Sequence, residues 1–145
     1  MTHHGKFGKL STKNLFKGIY EGKTVFVTGH TGFIGSWLVL WLQSLGAKVV
    51  GYSLEPPTKP SLFETFGLEN KITHIIGNIQ DKQNLSDNIE KYEPEIAIHL
   101  AAQPLVRASY DDPVETFLTN ILGTVNILDS IRKSDSVSAC VVMTS

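Results

Sequence analysis

The chain has 145 residues and a formal net charge of -1, and 19% of its residues are charged. That suits a single domain with a core of its own and provides no basic field for nucleic acid. No apolar run reaches the roughly 18 residues that a spanning helix needs, so no membrane partner is expected.

From Met1 to Tyr20 the chain is polar, with scattered lysines and no apolar centre of the kind a secretory signal carries. His3 and His4 are too few for a metal-binding tract, and no metal site is expected. Leu15, Phe16, Ile19 and Tyr20 suit either one helical turn over a sheet edge or a frayed tail. Residues 1–22 are read as a tail and residues 23–145 as one domain.

Thr24 to Thr28 is β-branched and aromatic, which predicts a buried strand. The pattern breaks at Gly29. Helical spacing then begins, with Ile34, Leu38, Trp41, Leu42 and Leu45 three or four apart, and Gly46 ends the helix. Gly29, Gly32 and Gly35 stand at the joint. The first permits a sharp turn, the second a close approach of backbone to a pyrophosphate, and the third tight packing of helix on strand. The N–H groups of the first helical turn and the positive end of its dipole would face the phosphates. Strand, glycine turn and helix in this order open a dinucleotide-binding unit. Trp37 and Trp41, one turn apart, are expected to pack in the core or an interface.

Lys48 to Ser53 predicts a second strand. A fold that prefers NAD usually carries an acidic residue at its end for the ribose hydroxyls. Here Ser53 stands there, with Glu55 two residues on and no adjacent arginine for a 2′-phosphate. NAD is favoured, but this position alone leaves NADP open. Pro56 to Pro60 forces an extended loop, and Phe63 to Phe66 suggests a short helix. Ile72 to Ile79 predicts strand three, ending near Asn78. Asp81 caps a helix from Lys82 to Tyr92. Glu95 to Ala102 is nearly all apolar, as a central parallel strand buried on both faces would be. His99 within it is expected to be a hydrogen-bonded core histidine. Ala101 and Ala102 leave room for a ring or ribose beside the backbone.

Asp112 and Pro113 form a strong helix start. Val114, Phe117, Ile121, Val125, Leu128 and Ile131 then predict one long amphipathic helix, to about Lys133, packed on the sheet or on a partner. Asn120 and Thr124 are polar within it. Asn120 suits either a buried amide near the site or a surface one. Ala139 to Ser145 predicts strand five. Cys140, the only cysteine, sits in this apolar run and is expected in the core. A reducing, cytoplasmic compartment is expected.

Alternating strands and helices with short connections predict an α/β fold. It is a Rossmann-type, doubly wound parallel sheet of strand order 3-2-1-4-5. Gly29 to Gly35, Ser53, Asn78, Ala101 to Gln103 and Ser145 would all lie at the carboxyl ends of its strands, where the ligand of such a sheet binds.

The wording Thr28-Gly29-His30-Thr31-Gly32-Phe33-Ile34-Gly35 resembles the extended branch of the short-chain dehydrogenase/reductase superfamily. Three further phrases resemble the CDP-glucose 4,6-dehydratase family within it. They are Gly51 to Thr58, His99 to Tyr110 and Glu115 to Thr124. Ile34 departs from that family, whose usual residue there is lysine. The resemblance implies NAD held by Gly29, Thr31, Gly32, Phe33, Ile34, Gly35, Ser53, Asn78, Ile79, Leu100, Ala101, Ala102, Gln103 and Asn120. It implies a nucleotide-sugar substrate, CDP-glucose, near Arg107 and Ser109, and a catalytic Ser145 that hydrogen-bonds the reacting sugar oxygen. Arg107 equally suits a surface or interface position.

The implied reaction is an internal redox cycle. Hydride leaves the fourth carbon of the glucose for NAD+, water is lost across the fifth and sixth, and hydride returns to the sixth. The product, CDP-4-keto-6-deoxyglucose, leads toward dideoxysugars of bacterial surface polysaccharide. The family's Tyr-x-x-x-Lys pair, the dehydratase acid and base, and the sugar-nucleotide domain do not occur in these 145 residues. The chain is therefore expected to be the cofactor-binding part of a longer enzyme, inactive alone, whose complete form is a homodimer through helices like that from Asp112 to Lys133. Another nucleotide-sugar epimerase or reductase, and a non-catalytic dinucleotide-binding module, are the alternatives.

Overall fold

The computed structural model describes residues 12–144. Five parallel strands form one sheet in the order β3-β2-β1-β4-β5. They are β1 (Thr24–Thr28), β2 (Lys48–Ser53), β3 (Thr73–Ile76), β4 (Ile96–His99) and β5 (Ala139–Val142). Between them run α1 (Phe33–Ser44), α2 (Leu62–Thr65), α3 (Lys82–Tyr92), α4 (Val106–Asp111), α5 (Pro113–Phe117) and α6 (Gly123–Lys133). The predicted strand order holds. The order reverses between β1 and β4, which opens a crevice at their carboxyl ends.

Both faces of the sheet are covered over β1, β2 and β4. Val25 and Val27 of β1 pack with Val39, Leu42 and Phe63 on one face. Phe26, between them in sequence, packs with Tyr52, Leu85, Ile89 and Ile127 on the other. Side chains alternate across a strand, so a strand covered on both faces must be apolar throughout. Each fully buried side chain of this kind contributes about 1.5–3 kcal/mol.

The N-terminal segment matches neither a regular helical turn nor a contact with the sheet edge. Thr12–Gly18 is a kinked 3-10 stretch, with non-helical backbone from Leu15 to Lys17, and Phe16 meets Trp41 of α1 edge-on at 5.5 Å between ring centres. The segment thus packs on the outer side of α1. Trp37 likewise meets Phe66 edge-on.

Four expectations need correction. Strand three stops at Ile76 because Asn78 folds the chain into a turn, its Oδ1 accepting from Gln80 N–H at 2.9 Å. Strand four stops at His99 because Thr28 Oγ1 accepts from both Leu100 and Ala101 N–H at 3.2 Å. The helix from Asp112 does run on to Lys133, with a π turn at Leu118–Leu122 within it, but its apolar row does not face the sheet. Its apolar row, Val114, Phe117, Ile121, Val125 and Leu128, is exposed. The buried face of α6 is instead Gly123, Asn126, Ile127 and Ser130. Gly123 lets α6 approach closely: a Cβ there would lie 2.4 Å from Ile79 Cδ1. Finally, Cys140 is exposed, as is most of β5 among the described residues.

Candidate functional site at the strand ends

The glycine turn is built around backbone contacts that no side chain could share. Gly29 has φ +74, and a Cβ there would lie 2.8 Å from Ala101 N. A Cβ on Gly35 would lie 2.2 Å from the Gly29 carbonyl oxygen. These two positions therefore require glycine. Gly32 differs. A Cβ there would meet only the Gly29 carbonyl oxygen, at 3.4 Å, so the space before it is open. Gly32 is also the N-cap of α1, with no side-chain capping bond. The first N–H groups of a helix lack intrahelical partners and carry partial positive charge. An uncapped helix start beside an open glycine suits a phosphate in both room and charge. Phe33 and Ile34 stand exposed next to it.

Beneath this turn a hydrogen-bond chain links β1, β4 and the π turn. Thr28 Oγ1 accepts from Leu100 and Ala101 N–H, so its own proton goes to His99 Nδ1 at 2.7 Å. His99 must then carry its proton on Nε2, which donates to Thr124 Oγ1 at 3.2 Å. Thr124 in turn donates to the Asn120 carbonyl at 2.6 Å. Burial lowers the His99 pKa, keeping the ring neutral as this chain requires. Asn120 Oδ1 accepts from Gln103 N–H at 2.8 Å, and its Nδ2 donates to the Gln103 carbonyl at 3.1 Å. The backbone just beyond β4 is thus clamped on both sides. A π turn displaces the helix locally, and here it carries the clamping residue.

At the end of β2, Ser53 Oγ lies 2.8 Å from Thr31 Oγ1, which donates to the Leu54 carbonyl at 2.9 Å. Ser53 and Thr31 are both buried. Beyond β3, the Tyr52 hydroxyl donates to the Asn78 carbonyl at 3.1 Å. Burial, helped by Asp81, pushes the Tyr52 pKa up to about 12. The structure brings Gly29, Thr31, Gly32, Gly35, Ser53, Leu100, Ala101, Gln103 and Asn120 to one end of the sheet.

Other predicted residues are placed differently. The Asn78 amide oxygen is engaged in its own turn. The Ile79 side chain is buried in the core against Gly123. The Gln103 side chain bonds Leu105 and Thr116 locally. Ala102 is exposed just past β4, and Arg107 is exposed on α4. Ser109 Oγ donates back to the Val106 carbonyl. Ser145 lies outside the described residues.

Three residues that position the site were not foreseen. Asn126 is buried, and its Nδ2 donates to the Ile79 and Gln80 carbonyls at 3.0 and 3.2 Å. An asparagine between Val125 and Ile127 was the available signal. His30, within the glycine turn, is fully buried. Its Nε2 lies 2.7 Å from His74 Nδ1 on β3. A Cβ on Gly51 would strike the His30 ring at 2.4 Å. No sequence signal paired these two histidines, which are 44 positions apart.

Residues 26–145 match the family model described as GDP-mannose 4,6 dehydratase. The chain is 50% identical over 129 residues to CDP-glucose 4,6-dehydratase of Salmonella typhimurium, covering 89% of this chain and 36% of that protein. Among solved structures it resembles UDP-glucose-4-epimerase from Stenotrophomonas maltophila, with bound NAD and formylated UDP-arabinopyranose. There the TM-score is 0.72 and the identity 26%, over 85% of this chain and 37% of that one. It also resembles UDP-glucose 4-epimerase of Thermus thermophilus in complex with NAD. That TM-score is 0.67 and the identity 30%, over 76% of this chain and 34% of that one. The chain thus spans about a third of the length of the relatives it matches. By the family match, the strand order and the glycine turn together, the chain belongs to the GDP-mannose 4,6 dehydratase family of extended short-chain dehydrogenases/reductases.

Proposed function

We propose that this chain is the NAD-binding part of a nucleotide-sugar dehydratase that converts CDP-glucose to CDP-4-keto-6-deoxyglucose, toward dideoxysugars of bacterial surface polysaccharide. The observation that carries the cofactor assignment is the open, uncapped glycine turn at the point where the strand order reverses. The choice of dehydratase and of CDP-glucose is supported by the 50% identity to the Salmonella enzyme.

The pyrophosphate would rest on the backbone from Thr31 to Gly35, and the adenosine ribose against Ser53. Bound NAD supplies a hydride acceptor and donor for an internal redox cycle. The chain's own residues provide placement. Asn120 holds the Gln103 backbone, and the His99 chain holds the end of β4, where small Ala101 and Ala102 admit the cofactor. Ser145 is assigned the hydrogen bond to the reacting sugar oxygen, and Arg107 and Ser109 the substrate side of the cleft. The exposed apolar row from Val114 to Leu128 supports a second copy as partner of the complete protein. The single exposed thiol of Cys140 fits a reducing, cytoplasmic setting.

The epimerases among the solved structures favour one alternative, inversion of a nucleotide sugar without loss of water. Calorimetric titration with NAD, then incubation of the complete protein with CDP-glucose and mass spectrometry, separates the readings. Loss of one water from the sugar nucleotide is expected. An isomer of unchanged mass would establish the epimerase, and absence of NAD binding would overturn the cofactor assignment. Residues 1–145 alone should bind NAD without turnover.

A further inference from the structure

We propose that Thr31, acting through Ser53, makes this site select a free ribose 2′-hydroxyl over a 2′-phosphate. The inference rests on the cofactor assignment above. Discrimination at this position is ordinarily the work of a carboxylate, which only accepts hydrogen bonds and repels a phosphate. A serine hydroxyl both donates and accepts, so taken alone it makes no such choice. The segment from Gly51 to Thr58 holds no lysine or arginine, and its one carboxylate, Glu55, is exposed two residues beyond Ser53.

The placement of two protons settles it instead. Thr31 Oγ1 lies 2.9 Å from the Leu54 carbonyl oxygen, which can only accept. Thr31 therefore directs its one hydroxyl proton there. The 2.8 Å contact between Thr31 Oγ1 and Ser53 Oγ then requires Ser53 to be the donor. That commits the one proton of Ser53. Ser53 Oγ is left with lone pairs only, and toward a ligand it behaves as a carboxylate oxygen does, without the charge. A ribose 2′-hydroxyl has a proton to give it. A phosphate dianion has none and would set oxygen lone pairs against oxygen lone pairs.

Burial maintains this polarity. Thr31 is 4% exposed and Ser53 7%. Reversing the chain would break the part-buried bond from Thr31 Oγ1 to the Leu54 carbonyl, so the arrangement with Thr31 as its donor is the favoured one. Thr31 is thus a positioning residue. It need not touch the ribose to set which group of the ribose is accepted.

The test compares equilibrium dissociation constants for NAD and NADP in the purified protein, at one ionic strength, for wild type and three variants. Wild type should prefer NAD. Thr31→Val removes the acceptor for the Ser53 proton, so Ser53 regains the ability to donate. The NADP-to-NAD affinity ratio should rise roughly tenfold, the scale of one net hydrogen bond. Thr31→Ser keeps the hydroxyl and should keep the wild-type ratio. An unchanged ratio in Thr31→Val, with a native circular dichroism spectrum, overturns the proposal. If Thr31→Val does not fold, Ser53→Ala decides. It should weaken NAD and narrow the ratio, and full discrimination in Ser53→Ala overturns the proposal. Wild type binding neither dinucleotide would overturn the cofactor assignment and this inference together. NAD binding with an insensitive ratio would overturn the inference alone.

Discussion

Between pH 7 and pH 5 a histidine in the unfolded chain takes up a proton, and His30 in the folded chain does not. His30 is fully buried between Phe63 of α2, His74 of β3 and the bare backbone of Gly51 on β2. Its pKa falls from 6.5 to about 3, chiefly through burial, with His74 adding to the effect and the Tyr52 backbone opposing it. Its Nδ1 makes no hydrogen bond that would offset the loss of water.

The sign follows from linkage. A group whose folded pKa is depressed contributes its full stability above the unfolded value, and loses it as pH falls toward the folded value. The window therefore runs from pH 6.5 down to about 3. Each pH unit inside it costs about 1.4 kcal/mol, so pH 5 should cost about 2 kcal/mol relative to pH 7. Burial also lowers the pKa of His74, against the pull of Glu55 and Glu69, and that of His99. Wild type should lose somewhat more than His30 alone accounts for. Urea unfolding of wild type and of His30→Gln at the two pH values isolates the His30 contribution. Glutamine retains a donor for His74 Nδ1 and does not titrate, so the variant should lose about 2 kcal/mol less on acidification. Equal losses in the two proteins would refute the reasoning.

Further outcomes are expected at the site. Gly35→Ala places a Cβ 2.2 Å from the Gly29 carbonyl oxygen. It should cost about 1–3 kcal/mol in a thermal melt and weaken NAD at least about tenfold by calorimetry, since α1 must move off the turn. Asn120→Ala removes both bonds to the Gln103 backbone. NAD affinity should fall, with about 1–3 kcal/mol lost in urea unfolding, while Asn120→Asp recovers only the bond from Gln103 N–H. Asn126→Ala strips the Ile79 and Gln80 carbonyls of a buried donor. It should cost about 1–3 kcal/mol and raise amide exchange in the 78–81 turn.

Local pattern determined a good deal of this protein. The run Thr24 to Thr28, the glycines at 29, 32 and 35 and the spacing of α1 lie within one short stretch, and each acts through its nearest neighbours. The capping bonds of Ser61 and Asp81 are equally local, their side chains accepting from N–H groups three residues on. Strand order followed because parallel strands joined by helices have few ways to close.

What tertiary structure decided are relations between distant segments. Period reveals an apolar row from Val114 to Leu128 but not which way it faces. Contact with the turn at Ile79 selected the face carrying Gly123 and Asn126 instead. The same apolar character in residues 139–142 did not bury Cys140, because burial depends on what covers a strand's faces, and among the described residues most of β5 is exposed. His30 and His74 meet, and Thr28 reaches His99, only through the register of adjacent strands. The direction of each proton in those bonds depends on partners brought from elsewhere in the chain. A hydroxyl in a sequence has no polarity until its neighbours in space are known.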